Sequence, residues 1–266
     1  MTRLKTEDIA HICTGVASYD REFSKQTGKS MLEAAQWAFH KRIDPGAWKI
    51  AVVPVNSGAG VLSGFCDSVA GVLRYVGCNV YITDGADVAG LSEAYLDRAD
   101  IVFMADDDEF AACGLTFRGH SSNGSATGIG YAAGLELMRG DLDGQEVLVL
   151  GAGPVGCAAT QYLLSKKARV FIHDPDPQRL NHVRQTTAGR CIPAPDWSQR
   201  TFTHILDATP AARILTPDHV TPDTLLALPG IPIGADEQVI RSCCDVLHNP
   251  LELGTIAMLV QCVPQH

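Results

Sequence analysis

The sequence predicts an α/β protein: N-terminal helices and a small parallel-sheet substrate domain, followed by a Rossmann-type dinucleotide-binding domain. Three observations predict it. Short β-rich runs alternate with helical stretches, the pattern of βαβ units and parallel strands. A glycine-rich turn, Gly151-Ala152-Gly153-Pro154-Val155-Gly156, stands directly between an apolar run and a helical one. The length, 266 residues, suits roughly two domains of about 150 residues.

Residues 6–42 read as helical. Thr6 can cap, Glu7 and Asp8 favour a helix amino end, and Ile9, Ile12, Cys13 and Val16 recur at helical spacing. After the turn Asp44-Pro45-Gly46, strands at 49–55, 79–83 and 101–105 alternate with helical stretches at 60–76 and 90–98. A helix over 127–139 carries Tyr131, Leu135 and Met138 on one face and runs into Gly140-Asp141-Leu142-Asp143-Gly144. The border is drawn there, with a substrate domain over 1–143 and a dinucleotide-binding domain over 144–266. Strands at 146–150, 169–172, 204–208, 225–228 and 245–248 build the second domain, and a helix from about residue 254 returns toward the first.

Composition narrows the function. Hydrophobic residues make up 46% and charged residues 19% of the chain, and mean hydropathy is +0.06, which excludes a disordered or fibrous chain. No apolar run approaches the ~20 residues that span a bilayer, so no membrane role is expected. With 21 basic against 30 acidic residues and a formal charge of -9, a phosphate backbone is repelled and no nucleic-acid partner is expected. The opening residues lack a charged-then-apolar layout, so the cytoplasm is the expected compartment. Nine cysteines, an odd number, include no CxxC pair, and nine histidines include no HExxH. The cysteines read as buried thiols, and no metal site is expected.

The glycine turn is the strongest local signal. Gly151 permits the tight turn, Gly153 lets a pyrophosphate approach the backbone, and Gly156 lets helix and strand pack closely, while Pro154 and Val155 open a helix whose free N–H groups attract phosphate. Asp174, 23 residues past Gly151 at the end of the next strand, can accept bonds from the ribose hydroxyls and repel a 2′-phosphate. That favours NAD over NADP, with Arg179 nearby as the residue that argues the other way. Asp174 can equally cap the turn Pro175-Asp176-Pro177. Ala208-Thr209-Pro210 and Leu228-Pro229-Gly230 end the next two strands, where small groups line the ribose and nicotinamide or simply make loops.

In the first domain, ligands are expected outside the carboxyl ends of the strands, facing a cleft between the domains. Ser57, after Val53-Pro54-Val55-Asn56, and Asp106, in Phe103-Met104-Ala105-Asp106-Asp107, fall there. A carboxylate at a buried strand end needs a cationic partner, which favours Asp106 as a substrate ligand. The alternative is that Asp106 to Asp108 are solvated acids capping a helix.

These strings together resemble one family. Pro54-Val55-Asn56-Ser57-Gly58 with Gly64-Phe65, Ile82-Thr83-Asp84, Asp87-Val88-Ala89-Gly90, Met104-Ala105-Asp106-Asp107, Asn123, Thr127-Gly128, the turn 151–156, Ala208-Thr209-Pro210, Pro229-Gly230-Ile231-Pro232, Pro250-Leu251 and Gly254-Thr255 follow the order seen in the pyrrolysine biosynthesis dehydrogenase family, PylD, over residues 49–258. The resemblance implies NAD-dependent oxidation of lysine-Nε-3-methylornithine. The carbon bearing the terminal amine of its methylornithine part yields a hydride, ammonia is lost and the ring closes to pyrrolysine. It implies further that Ser57, Ala105 and Asp106 hold the substrate, that Phe65 packs on it and that Leu4 closes over it. Asn123 and Thr127 join Gly151, Gly153, Pro154, Val155, Gly156, Asp174, Ala208, Thr209, Pro210 and Pro229 around the cofactor.

One position departs from the family pattern: Asn249 stands where the family has a glutamate before Pro-Leu. An amide holds an amine without neutralising it, so Glu252 or His248 is a candidate for part of that role. Asp106 is the candidate catalytic residue because a hydride leaves only from a deprotonated amine. No histidine matches the family motifs, and none is nominated as a base. Two other readings remain: a different NAD(P)-dependent amino-acid or folate-type dehydrogenase on the same plan, and a non-enzymatic NAD-binding sensor.

Overall fold

The computed structural model describes residues 12–57 and 63–265. The chain divides into two compact units, one of residues 1–22, 30–126 and 250–266 and the other of 23–29 and 127–249. The border thus falls at 126/127, not at the polar turn after residue 139, and the last residues belong with the first unit. The reason for the shift is packing. Most of the helix Asn123–Arg139 belongs with the second unit, and a Cβ on Gly128 would lie 2.2 Å from the carbonyl oxygen of Val155.

The helices α1 (Ile12–Thr27) and α2 (Met31–Phe39) come first. Ser30 begins α2 with a capping box: its Oγ accepts the N–H of Glu33, and Glu33 accepts the N–H of Ser30. The first unit then holds β1 (Lys49–Val53), α3 (Phe65–Tyr75), β2 (Asn79–Ile82), α4 (Asp87–Leu96), β3 (Ile101–Ala105), β4 (Phe110–Gly114) and β5 (His120–Ser122). The strands form one sheet in the order β2-β1-β3-β4-β5. β1 pairs in parallel with β2 and β3, and Ile50 to Val53 are all buried, as a strand covered on both faces requires.

The sheet is not wholly parallel. β3, β4 and β5 form an antiparallel meander, with Ala105 opposite Phe110. The acidic string 106–109 is the turn between β3 and β4, closed by the Asp106 N–H donating to the Glu109 carbonyl at 2.9 Å. Neither β4 nor β5 was expected, because Phe-Ala-Ala-Cys-Gly carries little of the β-branched alternation that marks a strand.

The second unit contains α5 (Asn123–Arg139, chiefly its residues from 127), β6 (Glu146–Leu150), α6 (Pro154–Ser165), β7 (Arg169–His173), α7 (Pro177–Thr186), β8 (Ile192–Pro193), β9 (His204–Asp207), β10 (Leu225–Ala227), α8 (Glu237–Arg241) and β11 (Asp245–Leu247). Its sheet is parallel throughout, in the order β11-β10-β9-β6-β7-β8. β6 has β7 on one side and β9 on the other, so the chain reverses its direction of travel across the sheet at β6. Such a switch point leaves a crevice beyond the strand ends. Leu148, Leu150, Phe171, Phe202, Ile205, Leu226 and Leu228 form the core behind it.

The final helix, α9 (Glu252–Cys262), is buried along nearly its whole length and packs against α2, α3, β4 and β5. Lys41 caps its carboxyl end, donating from Nζ to the carbonyls of Gln261 at 2.8 Å and Val263 at 2.7 Å. Among the described residues no helix is long and apolar enough to cross a membrane.

Tyr131 is a single buried anchor in the second unit. Its hydroxyl donates to the Asn249 carbonyl at 2.7 Å and accepts the Asn249 N–H at 2.8 Å. Tyr131→Phe deprives both groups in a dry setting. The expected cost is about 2–4 kcal/mol, read as a fall in Tm of roughly 5–10 °C with little change in circular dichroism.

Candidate active site

The cofactor-facing half is built at the end of β6. Gly151 turns out of the strand at φ +91°, a left-handed conformation that glycine adopts freely. Its N–H donates to the His173 carbonyl at 2.8 Å. A Cβ on Gly156 would stand 1.8 Å from the Gly151 carbonyl oxygen, so the helix α6 reaches this turn only because residue 156 has none. Gly153 differs. Its φ is −74° and a Cβ there would meet nothing within 4 Å, so the protein's own packing does not require glycine at this position. Open space in front of a helix amino end, with Pro154 at the first turn and N–H groups facing outward, fits a pyrophosphate.

Asp174 is buried, and the carboxylate is used by the backbone. Its Oδ2 accepts the Ala152 N–H at 2.7 Å and its Oδ1 accepts the Asp176 N–H at 2.8 Å. The structure therefore contains the capping role in full. Each oxygen retains lone-pair capacity for a further donor. Arg179 is exposed and lies 3.5 Å from Asp176 through its Nε.

On the other side of β6, Ala208, Thr209 and Pro210 follow β9. Thr209 is held by Asp207, whose Oδ1 accepts both the Thr209 N–H at 2.9 Å and its hydroxyl at 2.7 Å. The Asp207 carbonyl accepts the Gly230 N–H at 3.2 Å, which fastens the Pro229-Gly230 segment to the same strand end. Asp207 is fully buried, and its Oδ2 has no hydrogen-bond partner among the described residues. Burial pushes this carboxyl up to about 6, against which the two Thr209 bonds act only in part. The sequence reading missed Asp207 although it adjoins Ala208; a strand-end aspartate before Ala-Thr-Pro was the available signal.

Asn123 begins α5 and Thr127 follows one turn later, both half-buried. Gly128, beside Thr127, is the close contact with Val155 described above. His248 is bonded through Nδ1 to the Leu228 carbonyl at 2.7 Å. Asn249 is buried, its backbone held by Tyr131.

In the first unit, Asp106 is exposed at the end of β3, not buried as expected. Its Oδ1 accepts the N–H groups of Glu109 at 2.8 Å and Asp108 at 2.9 Å. Those bonds, the Glu109 one foremost, hold the carboxyl below its ordinary value. It caps a turn between two strands, not a helix. Ala105, just before it, is half-buried. Phe65 opens α3, and its ring meets Phe110 edge to face at 5.2 Å, with Phe103 6.1 Å beyond Phe110. These contacts bring the Phe65 end of α3 to the turn that carries Asp106.

Ser57 is exposed, and the segment before it is fastened by Asp87, which accepts the Asn56 N–H at 2.9 Å and donates its own N–H to the Pro54 carbonyl at 2.8 Å. Asp87 has φ +54°. Its role as a clamp is visible in three dimensions alone. Leu4 lies outside the described residues.

Among the described residues no group of three or more His, Cys, Asp or Glu side chains could hold a metal ion. The described cysteines are free thiols, but Cys244 is exposed and Cys113, Cys157 and Cys243 are half-buried, so they are not uniformly interior.

Comparisons with known proteins complete the picture. The model of the family "Pyrrolysine biosynthesis protein PylD, N-terminal domain" matches residues 8–120. A pyrrolysine synthase of Methanosarcina barkeri is 32% identical, covering 97% of this chain and 97% of that protein. The chain belongs to the PylD family. A pyrrolysine synthase of Methanosarcina acetivorans is 29% identical over 97% of this chain and 98% of that protein. Among solved structures, shikimate dehydrogenase from Aquifex aeolicus shares the fold at a TM-score of 0.51 and 13% identity, over 83% of this chain and 91% of that one. The PylD chain thus has the layered α/β plan seen in that enzyme.

The glycine turn generates a paired expectation. Gly156→Ala pushes strand and helix apart and lowers Tm by several degrees. Gly153→Ala costs at most about 1 kcal/mol, the scale of a helix cap, yet is expected to weaken binding of a reduced nicotinamide dinucleotide at least tenfold by fluorescence titration.

Asp207 generates a pH expectation. Its folded value, about 6, exceeds the ordinary 3.8, so the folded state holds more protons than the unfolded one between these values and stability falls as pH rises through that window. The loss is about 3 kcal/mol. Asp207→Asn abolishes this contribution, seen as a flatter dependence of denaturant midpoint on pH from about 4 to 6.5.

Proposed function

We propose that the protein is an NAD-dependent dehydrogenase of pyrrolysine biosynthesis, which oxidises the terminal amine of the methylornithine part of lysine-Nε-3-methylornithine, with loss of ammonia and closure to pyrrolysine. The observation that carries this reading is full-length similarity to pyrrolysine synthases in a chain whose Gly153 leaves open space before a helix amino end. The substrate is a small dipeptide-like molecule, and the place of reaction is the cytoplasm.

The dinucleotide, when bound, supplies the hydride acceptor. The N–H groups at the start of α6 hold its pyrophosphate, with Gly153 allowing close approach and Asp174 accepting from the ribose. Asn123, Thr127, Ala208, Thr209, Pro210 and Pro229 line the remainder. Asp106 stays ionised under the two turn N–H groups and attracts the substrate's ammonium through its second oxygen. Ser57 and Ala105 orient the substrate, Phe65 covers its aliphatic part, and Asn249 offers an amide to an amine. Leu4 belongs to the same proposed set.

The test follows NADH and ammonia together with lysine-Nε-3-methylornithine as substrate. Equimolar release of both is expected, with NADH bound at least tenfold more tightly than NADPH. Asp106→Asn is expected to lower kcat/KM at least tenfold while NADH affinity stays within twofold. Absence of turnover overturns the reading, and unimpaired turnover by Asp106→Asn removes that residue from the site.

A further inference from the structure

Asp207, the last residue of β9, is 0% exposed and organises the loops that follow β9 and β10. Its Oδ1 accepts both the N–H and the hydroxyl of Thr209, and its carbonyl accepts the Gly230 N–H. The two loops touch, since a Cβ on Gly230 would lie 2.2 Å from the Thr209 carbonyl oxygen. Thr209 also lies against the glycine turn, its Cγ2 3.2 Å from where a Cβ on Gly151 would stand. The backbone of Gly234 closes over Oδ2, the oxygen without a hydrogen-bond partner among the described residues: a Cβ there would stand 1.7 Å away. All of these residues belong to the second unit.

Holding Thr209 requires an acceptor, and the amide oxygen of an asparagine is one. A carboxylate with one oxygen unbonded is the costlier choice, because burial disfavours its charge. Bracing the loop therefore leaves the acid unexplained, and its charge is what distinguishes it from an amide. Ionisable groups on the neighbouring elements are engaged or distant. Asp207 is paired with Leu150 at the carboxyl end of β6, whereas Glu146 is at the amino end of that strand, bonded to Arg169 and Arg200. Arg213 is exposed, Asp236 is exposed and caps α8, and Glu237 pairs with Arg241. His204 is at the far end of β9, and His248 is bonded to the Leu228 carbonyl.

In a sheet that reverses at β6, the two halves of a dinucleotide lie on opposite sides of that strand. Asp174, the ribose acceptor of the reading above, ends β7, so the nicotinamide half belongs to the side of β9. We propose that Asp207 is a specificity-determining residue whose buried carboxylate favours the cationic nicotinamide of oxidised NAD over the neutral ring of NADH. This rests on the dinucleotide-binding part of the reading above. No contact is needed, because a charge in a low-dielectric interior acts over several ångströms with little screening. The effect speeds replacement of product NADH by fresh NAD and lowers the oxidising strength of the bound cofactor to the same degree.

The experiment measures the dissociation constants of NADH, by fluorescence titration, and of NAD, by competition with NADH, in the unsubstituted protein and in Asp207→Asn. Near pH 8 the ratio of the NAD constant to the NADH constant is expected to be about threefold or more higher in Asp207→Asn. In the unsubstituted protein the ratio rises at least twofold between about pH 8 and pH 5.5, because this carboxyl, pushed up by burial to about 6, takes up a proton there. In Asp207→Asn the ratio does not change over that range. A brace without an electrostatic role shifts both constants together, so an unchanged ratio in Asp207→Asn, or in the unsubstituted protein across that pH range, overturns the inference and leaves the dehydrogenase reading standing. Failure of the unsubstituted protein to bind either form overturns both. If Asp207→Asn does not fold, the pH dependence of the ratio in the unsubstituted protein decides.

Discussion

The carbonyl oxygen of Gly151 occupies the place that a side chain on residue 156 would fill, and the second unit is organised around that contact. It lets the first turn of α6 come down onto the end of β6, so the helix presents free N–H groups at the reversal point of the sheet. The same turn exposes the Ala152 N–H to Asp174 and sets Gly151 against the Ala208 carbonyl. Gly128 extends the arrangement by bringing α5 onto the Val155 carbonyl. The open helix end here is therefore a consequence of backbone packing at three glycines, while the packing around Gly153 leaves space beside it.

Carboxyl groups stand at several strand and helix ends, and their surroundings separate them. Asp106 is in solvent, stabilised by two amides. Asp174 is buried and ties two loops to the glycine turn. Asp207 and Glu252 are buried with one oxygen open each, and desolvation dominates both. The same functional group thus meets very different surroundings according to how many N–H groups reach it and how much water does.

The first unit contributes by stiffening short segments. Asp87 clamps the residues before Ser57, the Asp106 turn is closed by its own backbone, and Phe65, Phe110 and Phe103 form an aromatic row linking α3 to β4 and β3. Substrate groups would meet side chains on fixed strand ends, which limits the reorganisation that binding requires.

Local pattern alone determined the α/β class, most strands of both sheets, the glycine turn and the family. Each is written in contiguous residues: apolar runs such as 147–150, helical spacing in 127–139, glycines at fixed intervals. Tertiary structure decided the rest. The antiparallel return of β4 and β5 depends on which strand edge is free, and Phe-Ala-Ala-Cys-Gly carries no mark of it. The grouping of residues 127–139 with the second unit shows only in three dimensions, where Gly128 meets Val155. Asp207 and Glu252 look like ordinary acids in sequence, since desolvation arises only when other segments close over them, and the exposure of Asp106 is equally a property of the turn that folds around it.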